Sequence, residues 1–211
     1  MTKIDLKKEL RHLYLPSAKK VSLVEAPEFS FVMIDGMIPA GLSPAESIDF
    51  QEALSALYGI SYTLKFASKL REEKPIDYTV MALEGLWWVD DGEFDISGGQ
   101  DWHFRAMILQ PDHITDVMVD EAVNAVRKKA ENPALDKARF ERFHEGLSIQ
   151  IMHIGPYADE PRSLAKMSEY AQENRYEYRG RHHEIYIGDP RRAKPENLKT
   201  VLRYPVRKIA P

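Results

Sequence analysis

The chain has 211 residues, 44 % of them hydrophobic and 29 % charged, with a net charge of -4. That is long enough to bury a sizeable core, and the mild acidity argues against nucleic-acid or anionic-membrane binding, which favour a basic patch. Cysteine is absent, excluding disulfides and thiolate metal sites. The segment Met1-Thr2-Lys3-Ile4-Asp5 lacks the apolar core of a signal peptide, and no stretch approaches the ~20 apolar residues of a membrane span. The expectation is one cytoplasmic domain over residues 1–211, monomeric or weakly dimeric.

Residues 1–18 read as an arm. Ile4, Leu6, Leu10 and Leu13 give a short amphipathic helix that ends before Pro16. From Lys19 to Ile38 the apolar residues recur at strand spacing, with a turn or bulge near Pro27. Ser43-Pro44-Ala45-Glu46 joins an N-cap serine, a proline at the first helical position and a glutamate at the third, which predicts a helix from there to about Lys69. Ala53, Leu57, Ile60, Leu64 and Ala67 form its buried stripe. A second ridge, Leu54, Tyr58, Tyr62 and Phe66, points to broad burial or a cavity wall, and Gly59 to close packing.

Asp77 to Asp90 reads as a strand, with Glu84 inside it and Trp87-Trp88 near its end. Adjacent strand residues face opposite ways, so one tryptophan can meet a ligand while the other packs inside, and which does so stays open. Asp90-Asp91-Gly92-Glu93 and Ser97-Gly98-Gly99 form an acidic loop without the ligand spacing of an EF-hand. A strand returns at Trp102 to Leu109, and Thr115 caps a helix that ends before Asn132-Pro133, giving a linking helix over about 115–131. Phe140 to Ile154 alternates as a strand and meets Gly155-Pro156-Tyr157. A helix at Arg162 to Asn174, a strand at His182 to Arg192 and a last strand at Leu198 to Val206 complete the chain.

In the strand from His182, His183, Ile185 and Ile187 share one face, and His182, Glu184 and Tyr186 the other. This face is either a solvated edge or a functional one. Gly188-Asp189-Pro190 carries turn chemistry. The order strand, turn, helix, strand, strand occurs twice, over about residues 20–110 and 141–208, so an α+β fold is expected in which duplicated β-α-β-β units share one antiparallel sheet under long helices. In that repeat Glu84-Gly85-Leu86 aligns with Glu184-Ile185-Tyr186, so each half supplies a glutamate to a cleft at the junction.

The chain has no Walker A loop, G-x-G-x-x-G, H-E-x-x-H or G-x-S-x-G motif. Neighbouring strand residues diverge, so His182, His183 and Glu184 cannot jointly hold one ion, and neither a metal nor a cofactor is expected.

The duplicated order, His153-Ile154-Gly155-Pro156-Tyr157, the segment from Tyr58 to Phe66, Gly85-Leu86-Trp87-Trp88 and Glu184-Ile185-Tyr186-Ile187-Gly188-Asp189-Pro190-Arg191-Arg192 together resemble the GyrI-like small-molecule-binding family, shared with effector-binding domains of transcription regulators. The tryptophan pair and the Glu-Ile-Tyr segment are similar to its stand-alone cyclopropanoid cyclopropyl hydrolases, which detoxify DNA-alkylating natural products. The resemblance implies Glu184 as base for water, with Tyr157 or another phenol as donor to the developing oxyanion. Tyr58, Tyr62, Glu84, Trp87, Trp88 and Tyr186 would line a site for a planar aromatic ligand. Two other readings are a non-catalytic module that binds aromatic or cationic drugs, and a protein-interaction domain such as an enzyme inhibitor.

Overall fold

A computed structural model describes residues 2–92, 94, 99–188 and 192–210. The expectations for Glu93, Ser97 and Gly98 in the acidic loop, and for the turn and motif residues Asp189, Pro190 and Arg191, lie outside the described residues. The strands are β1 (Thr2–Ile4), β2 (Ser22–Ile38), β3 (Ile76–Tyr78), β4 (Leu83–Trp88), β5 (Trp102–Gln110), β6 (Arg139–Ile154), β7 (Tyr176–Tyr178), β8 (His182–Tyr186) and β9 (Lys199–Lys208). The α-helices are α1 (Leu6–Glu9), α2 (Arg11–Tyr14), α3 (Ile48–Leu70), α4 (Asp116–Arg127) and α5 (Pro161–Glu173).

The shared antiparallel sheet closes on itself. Its order is β6-β2-β5-β4-β8-β9, and β9 returns to β6, while β7 adds to β9 outside the ring. Exchanging β2 with β6, β5 with β9 and β4 with β8 reproduces the same set of pairings, so the two β-α-β-β units are related by a pseudo-twofold. Closure gives each of these strands a partner on both sides and removes the exposed edges that either unit would present alone.

α3 and α5 cover the outside of this barrel, and α4 packs against α3. The face carrying Phe104, Ala106 and Ile108 meets α3, whose buried positions are Phe50, Ala53, Leu57, Ile60 and Leu64. Ala67 is exposed and Ser68 is buried in its stead, donating to the Ile76 carbonyl at 2.8 Å. Gly59 lets α4 approach: a Cβ there would lie 3.2 Å from Val126 Cγ1. On the other unit, α5 buries Met167 and Ala171 against Ile149, Ile151, Leu202 and Val206.

The start of α3 differs from expectation. The Ser43 hydroxyl donates to Glu46 Oε2 at 2.6 Å and Glu46 Oε2 also accepts from the Ser43 N–H, but these bonds close a turn. The helix begins four residues later, where Ser47 caps it through Phe50 N–H. The arm is also more divided than one helix: β1 pairs in parallel with β3, and α1 and α2 follow as single turns. It docks nonetheless, with Leu13 and Tyr14 buried. Among the described residues, no helix is long and apolar enough to cross a membrane.

Candidate active site

β4 and β8 meet at the centre of the pseudo-twofold, and their register decides which side chains share a face. Gly85 pairs with Glu184, Trp87 with His182 and Leu83 with Tyr186. These residues lie on the outer face, beside the helices. Tyr186 donates its hydroxyl proton to Glu184 Oε2 at 2.6 Å and accepts from Trp87 Nε1–H at 3.1 Å. His182 Nε2 lies 3.0 Å from Glu184 Oε1. A carboxylate accepts, so Nε2 is the donor. Both Glu184 oxygens are therefore held by neighbours that fix their direction, and Glu184 is only 6 % exposed. Burial, then the charge of Glu184, pushes the Tyr186 phenol well above its ordinary pKa, so it acts as a fixed donor.

Gly85 is what permits this arrangement. A Cβ at that position would lie 2.8 Å from Trp87 Nε1 and 3.4 Å from the Tyr186 hydroxyl. The rings close around the seam: Phe94 stacks on His182 at 5.5 Å and Trp87 packs on Phe50 at 5.4 Å.

The third wall comes from the turn that leads into α5. Gly155 has φ 139, in the region that favours glycine, and Pro156 follows. His153 holds this turn: its Nε2 lies 3.0 Å from the Pro156 carbonyl, which can only accept, so Nε2 carries the hydrogen and Nδ1 accepts from the Ser163 hydroxyl at 3.0 Å. The turn brings Tyr157 edge-on to Tyr186, with ring centroids 6.0 Å apart. It also brings in Glu160, which sequence reasoning missed. Glu160 is fully buried, and among the described residues neither of its carboxyl oxygens has a hydrogen-bond partner. Burial, with the charge of Glu184 added, pushes its carboxyl up to about 10, so at neutral pH it holds its proton.

The structure thus brings Glu184, Tyr186, Trp87 and Tyr157 together, and adds His182 and Glu160. Glu84 goes elsewhere. It pairs with Ile185, one position away from the pair that contains Glu184, and a one-residue step in a strand reverses the face. The alignment that put both glutamates at one cleft is therefore corrected: Gly85, not Glu84, stands across from Glu184. Glu84 points inward, where it accepts from the Tyr14 hydroxyl and lies 3.0 Å from His183 Nε2. His183 Nδ1 and Arg203 Nη1 both bond Glu145, at 3.0 and 3.1 Å. Burial opposes both charges, but Glu145 holds His183 up to about 9, and His183 and Arg203 hold Glu145 down to about 2.

Trp88 also points away from Glu184, stacking on His103 at 5.5 Å under the Arg181 guanidinium. Of the two tryptophans, Trp87 is the one on the face of Glu184. Tyr58 and Tyr62 stack on each other at 6.4 Å on α3, and Tyr62 is half-exposed.

A family model described as a GyrI-like small-molecule-binding domain matches residues 19–207. An uncharacterised conserved protein from Listeria innocua is similar over 97 % of this chain and 100 % of its own, at 35 % identity and TM-score 0.87. A hydrolase from Listeria innocua is similar over 98 % of this chain and 100 % of its own, at 33 % identity and TM-score 0.86. The C-terminal domain of EcmrR shares the fold at 14 % identity and TM-score 0.53, over 90 % of this chain and 98 % of that domain. No curated protein matches the chain significantly.

Proposed function

Because the chain belongs to the GyrI-like small-molecule-binding family, we propose that it is a hydrolase that opens the cyclopropane ring of planar, DNA-alkylating natural products. The observation that carries this reading is the orientation of Glu184, whose two oxygens are fixed by His182 and Tyr186 at a seam walled by aromatic rings. The substrates carry a cyclopropane fused to a dienone. A water oxygen bonds to the strained ring carbon while Glu184 accepts the water's proton. The cyclopropane carbon–carbon bond breaks, and its electron pair passes through the ring to the carbonyl oxygen, which becomes a phenolate. Tyr157, which stands edge-on to Tyr186 on the turn before α5, is our candidate donor to that oxygen. Protonation of the phenolate completes the net addition of one water. Tyr186, which is only partly buried, offers a flat surface to the substrate, with the buried Trp87 holding its hydroxyl, and the likeness to a hydrolase supports turnover over sequestration.

The second reading, a module that binds aromatic cations without turnover, draws on the same buried pair of carboxyls, Glu160 and Glu184. Incubation with a cyclopropane-bearing alkylator, followed by mass spectrometry, separates the two. We expect addition of one water, lost by about 10²–10⁴-fold in Glu184→Gln with ligand binding retained. Binding of both the alkylator and a planar cation such as ethidium, with no product from the unmodified protein, sinks the hydrolase reading.

A further inference from the structure

Two separate segments of chain converge beside Glu184. The β8 strand supplies His182 and Glu184, two residues apart and hence on one face. The turn before α5 supplies Glu160. One donor atom from each of the three lies within 4.8 Å of the others, and all three residues are buried. An ion about 2.1 Å from each donor accommodates pair distances up to about 4.2 Å, so small side-chain rotations close the set around it.

Glu160 supplies the independent reason to look for a ligand. Its two oxygens are buried without any hydrogen bond among the described residues. A carboxyl in that position beside another is costly to ionise, and two things relieve the cost: a retained proton, or a cation shared with Glu184. Two carboxylate oxygens and the imidazole nitrogen that carries no hydrogen, with no sulfur, suit Zn²⁺, Mn²⁺, Fe²⁺ or Co²⁺. The outer shell such a site needs is in place, because Tyr186 donates to the other oxygen of Glu184 at 2.6 Å and Trp87 donates to Tyr186. His183, by contrast, points into the barrel and takes no part.

We propose that Glu160, His182 and Glu184 form a binding site for one divalent first-row transition ion, with coordination positions left for water or a ligand. Binding does not depend on the hydrolase reading. Its consequence does: an ion on Glu184 occupies the electron pairs that would receive water's proton, so saturation with the ion inhibits ring opening.

The test uses the full chain stripped with EDTA. Co²⁺ is titrated with visible absorption as the readout, and Zn²⁺ by calorimetry and by its effect on Tm. We expect one ion per chain, a rise in Tm with Zn²⁺, and affinity weakened at least about 10-fold in Glu160→Gln and separately in His182→Gln. Absence of stoichiometric binding to the unmodified protein overturns the proposal, whatever the variants do. Undiminished binding in both folded variants overturns it too, by placing the ion elsewhere. Ion binding by a protein that adds no water to the alkylator sinks the hydrolase reading and leaves the site intact. Ring opening that proceeds unchanged at saturating Zn²⁺ overturns the inhibition alone.

Discussion

At the scale of single residues, the two adjacent tryptophans separate cleanly by face. Trp87 donates to the Tyr186 hydroxyl beside Glu184, whereas Trp88 stacks between His103 and the Arg181 guanidinium on the other face. We therefore expect Trp87→Phe to weaken binding of a planar aromatic ligand by about 10-fold, because it removes the donor that orients Tyr186 and loosens the ring packing behind it. Trp88→Phe should leave that affinity within about 2-fold. Equilibrium titration by fluorescence checks both, and a large loss in Trp88→Phe would move the ligand to the opposite face. That the two indoles face opposite ways, so that one can meet a ligand, was legible from strand alternation. Which of them shares the face of Glu184 was not, because the register of β4 against β8 sets it.

At the scale of elements, the turn from His153 to Glu160 matters more than its length suggests. One imidazole bonds both the Pro156 carbonyl and the Ser163 hydroxyl, tying the end of β6 to the first turn of α5. Replacing it with alanine leaves these groups without those bonds. His153→Ala should cost about 1–3 kcal/mol in urea unfolding. It should also speed amide exchange over residues 155–163 and weaken ligand binding through displaced Tyr157 and Glu160. Unchanged exchange in that turn would show that Gly155 and Pro156 hold it unaided. The N-terminal region of α3 teaches a different lesson. Ser43 and Glu46 make the hydrogen bonds of a helix start, yet a turn results and Ser47 begins the helix. A local cap motif states a preference, and packing of Phe50 against Trp87 and Phe104 settles where the first turn lies.

At the scale of the whole molecule, the barrel interior holds a polar network that the arm completes. Arg203 bonds Glu145, Gln150 and the Leu13 carbonyl, Gln150 donates to the His12 carbonyl, and Tyr14 donates to Glu84. With His183 between Glu84 and Glu145, this joins β4, β6, β8, β9 and α2. Glu145 makes the network's pH dependence predictable. Its pKa is held at about 2, below the unfolded value of 4.5, so the stability it contributes is full above pH 4.5 and is lost as pH falls through about 2. We expect Tm to drop between those values in the unmodified protein. The drop should be shallower in Glu145→Gln, which starts lower because it leaves His183 and Arg203 short of their counter-charge. Parallel Tm profiles for the two proteins over that range would show that Glu145 is not the group responsible.

The sequence by itself determined the main strands and helices, their order and their duplication, but not the short strands β1, β3 and β7 or the division of the arm. Hydrophobic period and turn chemistry are local properties, and the glycine–proline turn, the tryptophan pair and the Glu-Ile-Tyr segment identify the family before any contact is known. It also placed His182, Glu184 and Tyr186 on one face, since strand alternation requires no partner. Tertiary structure alone decided that the sheet closes into a barrel, because closure depends on β6 pairing with β9 across many intervening residues. It decided that Glu84 turns inward, because inter-strand register is a long-range quantity and one residue of slip reverses a face. It also brought Glu160 to Glu184, 24 residues away in sequence, which no local period or motif spacing could announce.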